Sequence, residues 1–162
     1  MQNQLPIHVL LVTESDAFRD AARKLVDSHG DIRLIAGDRV ESGQQGNDSL
    51  RRPDIAVVDV HGVGFEPIVK LSHGNVATRV IAVSEFEFDD YIKRLMEAGA
   101  SACILRSSLS DDLLPAIRQV AAGEYYFSSA IARVIIDIYV NEALKRSELE
   151  ARSPKGEDMS TP

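Results

Sequence analysis

Five short apolar runs alternate along the chain with stretches whose apolar residues recur at helical spacing. The runs are rich in Val, Ile and Leu, a composition typical of strands that are buried on both faces of a parallel sheet. The pattern predicts strands at Ile7 to Val12, Ile32 to Ala36, Asp54 to Asp59, Arg79 to Ser84 and Ala102 to Leu105.

Helix signals occupy the intervals between these runs. The first predicted helix has its N-cap at Ser15 and ends at Gly30, and a poorly ordered helix is predicted over Gly37 to Arg52. A loop over His61 to Gly64 precedes a short helix over Glu66 to Ser72. The next helix has an apolar face of Phe88, Ile92, Leu95 and Met96, and the last of this series starts at Ser110 with Asp111 and Asp112. Regular alternation of strand and helix predicts an α/β fold, a flavodoxin-like doubly wound parallel sheet of five strands with right-handed crossovers.

The C-terminal part of the chain predicts one further helix. Residues 1–127 are expected to form the α/β domain, residues 128–148 an amphipathic helix, and residues 149–162 a disordered tail or linker. Ser128 or Ser129 is the predicted cap of that helix. We interpret its apolar stripe as core, a docking face or a dimer contact; the stripe comprises Ile131, Val134, Ile135, Ile138, Tyr139 and Leu144.

Composition narrows the function classes. Of the 162 residues, 44% are hydrophobic and 27% charged, as in ordinary soluble domains, and no apolar stretch approaches the length of a membrane span. The start of the chain lacks the pattern of a secretory signal, and one cysteine, Cys103, provides no disulfide framework, so we expect a cytoplasmic protein. A net charge of −7 argues against direct binding of nucleic acid.

Polar residues follow four of the strands, where the carboxyl ends of parallel strands share one edge of the sheet. They are Glu14, Asp59, Ser84 and Arg106. Two carboxylates at one edge repel each other and favour a bound Mg²⁺ ion. Asp59 is then a candidate nucleophile that accepts a phosphoryl group, with the Ser84 hydroxyl and the Arg106 guanidinium as donors to the developing charge.

With these motifs, the chain over residues 7–132 resembles the receiver domain of two-component response regulators of the type attached to LuxR-type helix-turn-helix outputs. The resemblance is carried by the segments 9–19 (VLLVTESDAFR), 52–59 (RPDIAVVD), 97–100 (EAGA) and 114–126 (LPAIRQVAAGEYY). It implies a phosphoacceptor at Asp59, a hydroxyl switch at Ser84, and Mg²⁺ ligation by Glu14, Asp59 and the backbone carbonyl of His61. It also implies a sensor histidine kinase as partner, control of a homodimer, and DNA contact only through an output domain outside this chain.

Several positions depart from the family pattern. Thr13 replaces the first acid of the usual pair, Arg106 the usual lysine, Cys103 the switch aromatic and Val63 a proline, and the interval from Asp59 to Ser84 is shortened. The loss of one acid predicts weaker metal binding, and a planar guanidinium is not equivalent to a lysine ammonium. These departures predict slow or absent phosphorylation. For Arg106, a structural ion pair with a carboxylate such as Glu14 is an alternative.

Three other functions are weighed against this one. The first is an atypical receiver that acts by protein–protein interaction without phosphorylation. The second is a cobalamin-binding module, because Asp59 to Gly64 fits an Asp-x-His-x-x-Gly pattern, although after the third strand rather than the first. The third is an enzyme of another kind, which we do not expect because the chain has no nucleophile elbow or P-loop.

Overall fold

The computed structural model describes residues 5–35, 52–74 and 78–153. All strands of its single sheet are parallel, in the order β2-β1-β3-β4-β5-β6. The strands are β1 (Ile7–Val12), β2 (Ile32–Ile35), β3 (Ile55–Asp59), β4 (Arg79–Ser84), β5 (Ala102–Leu105) and β6 (Tyr126–Phe127). The helices are α1 (Asp16–Asp27), α2 (Val60–Val63), α3 (Glu66–Ser72), α4 (Asp89–Glu97), α5 (Leu109–Ala121) and α6 (Ser129–Arg152). The predicted doubly wound fold is confirmed, with β6 as an added two-residue strand.

The sheet has a separate apolar core on each face, because successive strand residues point to opposite sides. In β3, Ile55 and Val57 pack with α1 and α5, whereas Ala56 and Val58 pack on the opposite face, where α3, α4 and α6 lie. Every residue of β3 is buried. The sheet is therefore covered on both sides, and its two ends are the places where polar side chains can gather.

Strand register brings the predicted site residues to one end of the sheet. Val12 pairs with Val58, Asp59 with Val83, and Ser84 with Leu105. Thr13 and Arg106, which directly follow β1 and β5, consequently lie at the same edge as Asp59 and Ser84. This is the carboxyl edge, as the sequence predicts.

The prediction of a loop over His61 to Gly64 is wrong for its first three residues. Val60–Val63 form one helical turn, α2, closed by a 2.9 Å hydrogen bond from the Gly64 amide to the Val60 carbonyl. Val60 is buried, so tertiary packing outweighs the weak helix propensity of the Gly-containing segment. Gly64 ends the turn with a positive φ of 75°, a conformation that glycine adopts without steric cost.

Two predicted helix starts also differ. Helix α5 begins at Leu109, after a 3₁₀ turn at Arg106–Ser108, because Leu109 is buried against the core and extends the helix ahead of Ser110. Phe88 precedes α4 as its N-cap and is exposed, so it does not belong to the buried face that Ile92 and Leu95 form.

Other element ends shift by a few residues. Helix α1 is capped by Ser15 as predicted, but it ends at Asp27, before Gly30. Strand β2 is described from Ile32 to Ile35; its predicted last residue, Ala36, and nearly all of the predicted helix over Gly37 to Arg52 lie outside the described residues.

Helix α6 follows Ser128, one of the two predicted caps, and continues to Arg152, beyond the predicted end at residue 148. Ile131, in the first turn of α6, is fully buried, while Val134 and Ile135 pack at the margin of the same core. Tyr139 and Leu144 are exposed, so only the first part of the predicted stripe belongs to the core. In the part of the chain that the structure describes, no helix is long and apolar enough to cross a membrane.

Candidate functional site

Asp59 is the centre of the carboxyl edge. It ends β3 with only 1% of its surface exposed, and its Oδ2 accepts a 2.8 Å hydrogen bond from the Thr13 hydroxyl. The Thr13 oxygen in turn accepts the backbone N–H of Ser15 at 3.0 Å. Thr13, which replaces the acid of the family pattern, therefore orients the carboxylate through a bond that a second acid could not donate when ionised.

Arg106 supplies the positive charge of the site. Its Nη1 lies 3.7 Å from Asp59 Oδ1 and donates to Glu85 Oε1 at 3.1 Å. Its Nη2 donates to the Ser15 hydroxyl at 3.3 Å, and its Cζ lies 5.4 Å from the centre of the Phe18 ring. The guanidinium is thus held from three sides. Its carboxylate partners are Glu85 and Asp59, rather than Glu14, the alternative partner that the sequence suggests.

The other Asp59 oxygen is unsatisfied. Oδ1 is buried and has no hydrogen-bond partner among the described residues, and 3.7 Å to Arg106 is too long for a hydrogen bond. A buried carboxylate oxygen without a donor is costly and is therefore rare in folded proteins. Such an atom at a strand end marks a place where a ligand, a cation or a covalent partner can be accommodated.

Ser84 lies in the same edge but bonds to its own loop. Its hydroxyl donates to the Phe86 carbonyl at 2.6 Å and accepts the Phe86 N–H at 3.1 Å. The side chain is fully buried. The structure therefore brings Ser84 to the predicted edge, with its proton donated to the loop that leads to α4.

The three predicted metal ligands are only partly assembled. Glu14 is exposed, and its Cβ lies 3.8 Å from the position that a Cβ on Gly62 would occupy; Asp59 Oδ2 lies 4.0 Å from that position. The His61 imidazole contacts Glu85 Oε2 at 3.2 Å. Among the described residues, no group of three or more His, Cys, Asp or Glu side chains is arranged to hold a metal ion. The unpartnered Oδ1 and the nearby Glu14 nevertheless fit a Mg²⁺ ion that takes other ligands from backbone and solvent.

Sequence reasoning missed two members of the site. Glu85 contacts both Arg106 and His61, and Ser15 accepts from Arg106 in addition to capping α1. Glu85 directly follows the Ser84 strand end, which is the one signal that could have drawn attention to it.

Cys103 is a packed residue of the core. It is fully buried in the core beneath α4 and α6, and burial raises the pKa of its thiol to about 12. A thiol with so high a pKa is protonated at neutral pH and is a poor nucleophile. The position that the resemblance assigns to a switch aromatic is thus filled by a small, inert side chain.

No protein-family model matches the chain, but individual relatives do. The nitrate/nitrite response regulator protein NarL of Escherichia coli K12 is 26% identical over 165 residues, covering 98% of this chain and 76% of NarL. The response regulator GacA of Pseudomonas aeruginosa is 32% identical over 136 residues, covering 78% of this chain and 61% of GacA. The chain is similar to response regulators of the LuxR type.

The fold is also similar to that of solved structures. A two-component response regulator of the LuxR family from Aurantimonas sp. SI85-9A1 superimposes with a TM-score of 0.69 at 24% sequence identity. The match covers 83% of this chain and 99% of that one. The receiver fold thus accounts for most of the described residues, and the site at its carboxyl edge is the candidate functional site.

Proposed function

We propose that Asp59 of this receiver accepts a phosphoryl group from a partner sensor histidine kinase. The observation that carries the proposal is the Oδ1 atom of Asp59, which is buried, lacks a hydrogen-bond partner among the described residues, and lies 3.7 Å from the Arg106 guanidinium. Structural carboxylates normally have both oxygens satisfied. A nucleophilic oxygen needs an available lone pair and a nearby positive charge, and Oδ1 has both.

In the proposed step, Asp59 Oδ1 attacks the phosphorus atom of a phosphohistidine. A new O–P bond forms while the P–N bond breaks, and the bonding electrons leave with the imidazole of the kinase. Thr13 holds the opposite carboxylate oxygen, so Oδ1 is the atom directed to the reaction. Arg106 stabilises the negative charge on the transferred group, since it is the cation next to that oxygen. The Ser84 hydroxyl then exchanges its bond with Phe86 for one with the phosphoryl oxygens.

We assign Mg²⁺ ligation to Glu14, Asp59 and the backbone carbonyl of His61. The ion, when bound, neutralises charge on the phosphoryl oxygens. With Thr13 in place of a second acid, the site offers two carboxylates rather than three, and the Arg106 guanidinium next to Oδ1 repels a divalent cation. Weak Mg²⁺ binding and slow phosphorylation are the expected consequences.

We propose that the conformational change of the receiver is transmitted to partners that bind α6. The chain spans 61% of GacA, and its relatives are named response regulators, so control of a homodimer or of a DNA-binding output domain in the cytoplasm is the proposed role. Helix α6 packs on α4 through a 2.6 Å ion pair between Lys93 and Glu142. Movement of the loop between Ser84 and α4 can therefore reach α6 through one intervening helix.

The proposal is tested by exposing the native chain and Asp59→Asn to acetyl phosphate, with and without Mg²⁺. We expect slow labelling of the native chain that Mg²⁺ accelerates, and no labelling of the variant. Equal labelling of both proteins would remove Asp59 as the acceptor. If the native chain is not labelled, and beryllofluoride with Mg²⁺ shifts no backbone NMR signal near Ser84 and Arg106, the receiver acts without phosphorylation.

A further inference from the structure

Two phenylalanines lie exposed on the loop between β4 and α4. Phe86 is 41% exposed and Phe88 69% exposed, and their rings stack with centroids 5.8 Å apart and an interplanar angle of 21°. We call these two residues the aromatic pair. Adjacent large apolar side chains at a surface frequently mark a contact site, because their exposure to water is unfavourable.

The aromatic pair is held in place rather than loosely exposed. The Phe86 ring packs edge-on against Tyr91 at 5.7 Å, and its backbone bonds to Ser84 in both directions. The Phe88 carbonyl accepts the Ile92 N–H at 2.9 Å in the first turn of α4. A surface that is ordered before binding loses little conformational entropy when a partner arrives.

Stability does not explain a phenylalanine at position 88. This residue is the N-cap of α4 and makes no side-chain cap hydrogen bond. Ser, Thr, Asp and Asn are the residues that stabilise this position, because their side-chain oxygens accept a hydrogen bond from a backbone N–H of the first turn. The chain therefore forgoes a cap and exposes a ring, which indicates that the ring has a use outside the fold.

The surroundings of the aromatic pair are strongly acidic. All residues from 85 to 90 are exposed, and four of these six are Asp or Glu: Glu85, Glu87, Asp89 and Asp90. Glu85 is engaged by Arg106 and His61, whereas the other three form no ion pair within the described part of the chain. Lys93, one turn further along α4, pairs with Glu142 instead. The loop and the first turn of α4 thus present three acids that are not paired with a cation among the described residues.

We propose that the aromatic pair and its flanking acids form a docking surface for a basic, amphipathic segment of a partner protein. An arginine in that segment can lie on a phenylalanine face while its charge meets Glu87, Asp89 or Asp90, and neighbouring aliphatic side chains cover the rest of the rings. A second copy of this chain does not fit, since a symmetric contact would bring the same acids together.

The probe is a synthetic amphipathic peptide of Arg and Leu, with a Glu and Leu peptide of the same spacing as its control. We expect NMR shifts concentrated at residues 85–91, and a Kd that is about tenfold weaker for Phe88→Ser. Because Ser is a good N-cap, Phe88→Ser should keep or raise the melting temperature, so that lost binding is separated from lost folding. The double variant Glu87→Gln, Asp89→Asn should weaken binding and reduce its salt dependence.

Tyr125→Ser is the matched control. Tyr125 is 67% exposed and stacks on Phe127 at 6.4 Å, but only one acid, Glu124, adjoins it. The Kd of the Tyr125→Ser variant for the basic peptide should equal that of the native chain. The proposal is overturned if Phe88→Ser and Tyr125→Ser bind alike, or if the Glu and Leu peptide binds equally well. It is also overturned if sedimentation shows a dimer that Phe88→Ser abolishes, which would assign the surface to a second copy.

Discussion

The two ends of the sheet use similar polar residues for different purposes. At the amino edge, Asp54 accepts the His8 N–H at 2.9 Å, Thr78 donates to the Pro53 carbonyl at 3.1 Å, and Arg79 donates to the Val120 carbonyl at 3.4 Å. At the carboxyl edge an acid, a threonine and an arginine also meet, but Asp59 Oδ1 is left without a hydrogen bond in the described structure.

This difference separates bonds that close the fold from bonds that prepare a site. The amino-edge residues bond mainly to backbone groups, which ties strands and helix ends together. Those of the carboxyl edge bond mainly to one another, in a ring of side chains around a buried carboxylate. Residue type alone does not identify a functional edge; the unsatisfied atom does.

The largest expected contrast is between the two aspartates at the opposite ends of β3, Asp54 and Asp59. Asp59→Asn should reduce acetyl phosphate labelling to background. Asp54→Ala should leave the labelling rate unchanged and lower the free energy of unfolding by about 1 kcal/mol, because the His8 N–H loses its acceptor. Labelling assays and urea unfolding measure the two effects. Loss of labelling in both variants would contradict the division of the sheet into a structural and a functional edge.

The arginines give the next contrast. Arg106→Met should slow labelling by about a hundredfold, because the cation next to Asp59 Oδ1 is removed. Arg79→Met, at the other end of the sheet, is the control and should label at the native rate. The initial rate at saturating acetyl phosphate is the quantity to compare. Native-like labelling of Arg106→Met would mean that the guanidinium is only a structural partner of Glu85.

The threonines provide a smaller and purely energetic contrast. Thr13→Val should lower the free energy of unfolding by about 2 kcal/mol, since it strips a hydrogen bond from a buried carboxylate. Thr78→Val removes a bond to a neutral carbonyl and should cost about 1 kcal/mol. Chemical denaturation at pH 7 distinguishes them. An equal loss in both would show that the Asp59 bond is no stronger than an ordinary one.

The ionisation of Cys103, in the middle of the sheet, should give the smallest effect at neutral pH and should influence stability only in alkaline solution. Burial raises its pKa from the ordinary 9.0 to about 12, so the thiol ionises in the unfolded chain before it does so in the fold. Stability is therefore full below pH 9 and falls as the pH rises from 9 toward 12. The native chain should lose more stability over this range than Cys103→Ala does. If the free energies of unfolding of the two proteins fall in parallel with pH, the raised pKa of Cys103 is refuted.

The parts of the fold that follow from local pattern are predictable from the sequence. Strands β1, β4 and β5 and helix α3 have the predicted bounds, because their apolar runs are sharply delimited by polar residues, Gly or Pro. Turns that depend on packing are not predictable in this way. The helical turn at Val60 and the early start of α5 at Leu109 arise from burial of those two side chains, which no local signal encodes.

The site is predictable in its location but not in its bonds. The strand ends identify the edge that Asp59, Ser84 and Arg106 occupy, since parallel strands end together. The hydrogen bond from Thr13 to Asp59 depends on the register of β1 against β3, which pairs Val12 with Val58. Thr13 is a missing acid when the sequence is read alone, whereas in the structure it is the donor that orients the carboxylate.

Helix α6 has the geometry of a lever. Its first half is anchored by Ile131 in the core, and Glu142 ties it to Lys93 on α4. From Glu142 to Arg152 the helix continues for ten residues, all of them exposed. At 1.5 Å per residue this arm is about 15 Å long, so a tilt of about 10° at the Lys93 contact displaces its tip by roughly 3 Å. A tilt that leaves Ile131 in its buried position is therefore sufficient to move the surface that the far end of α6 presents to a partner.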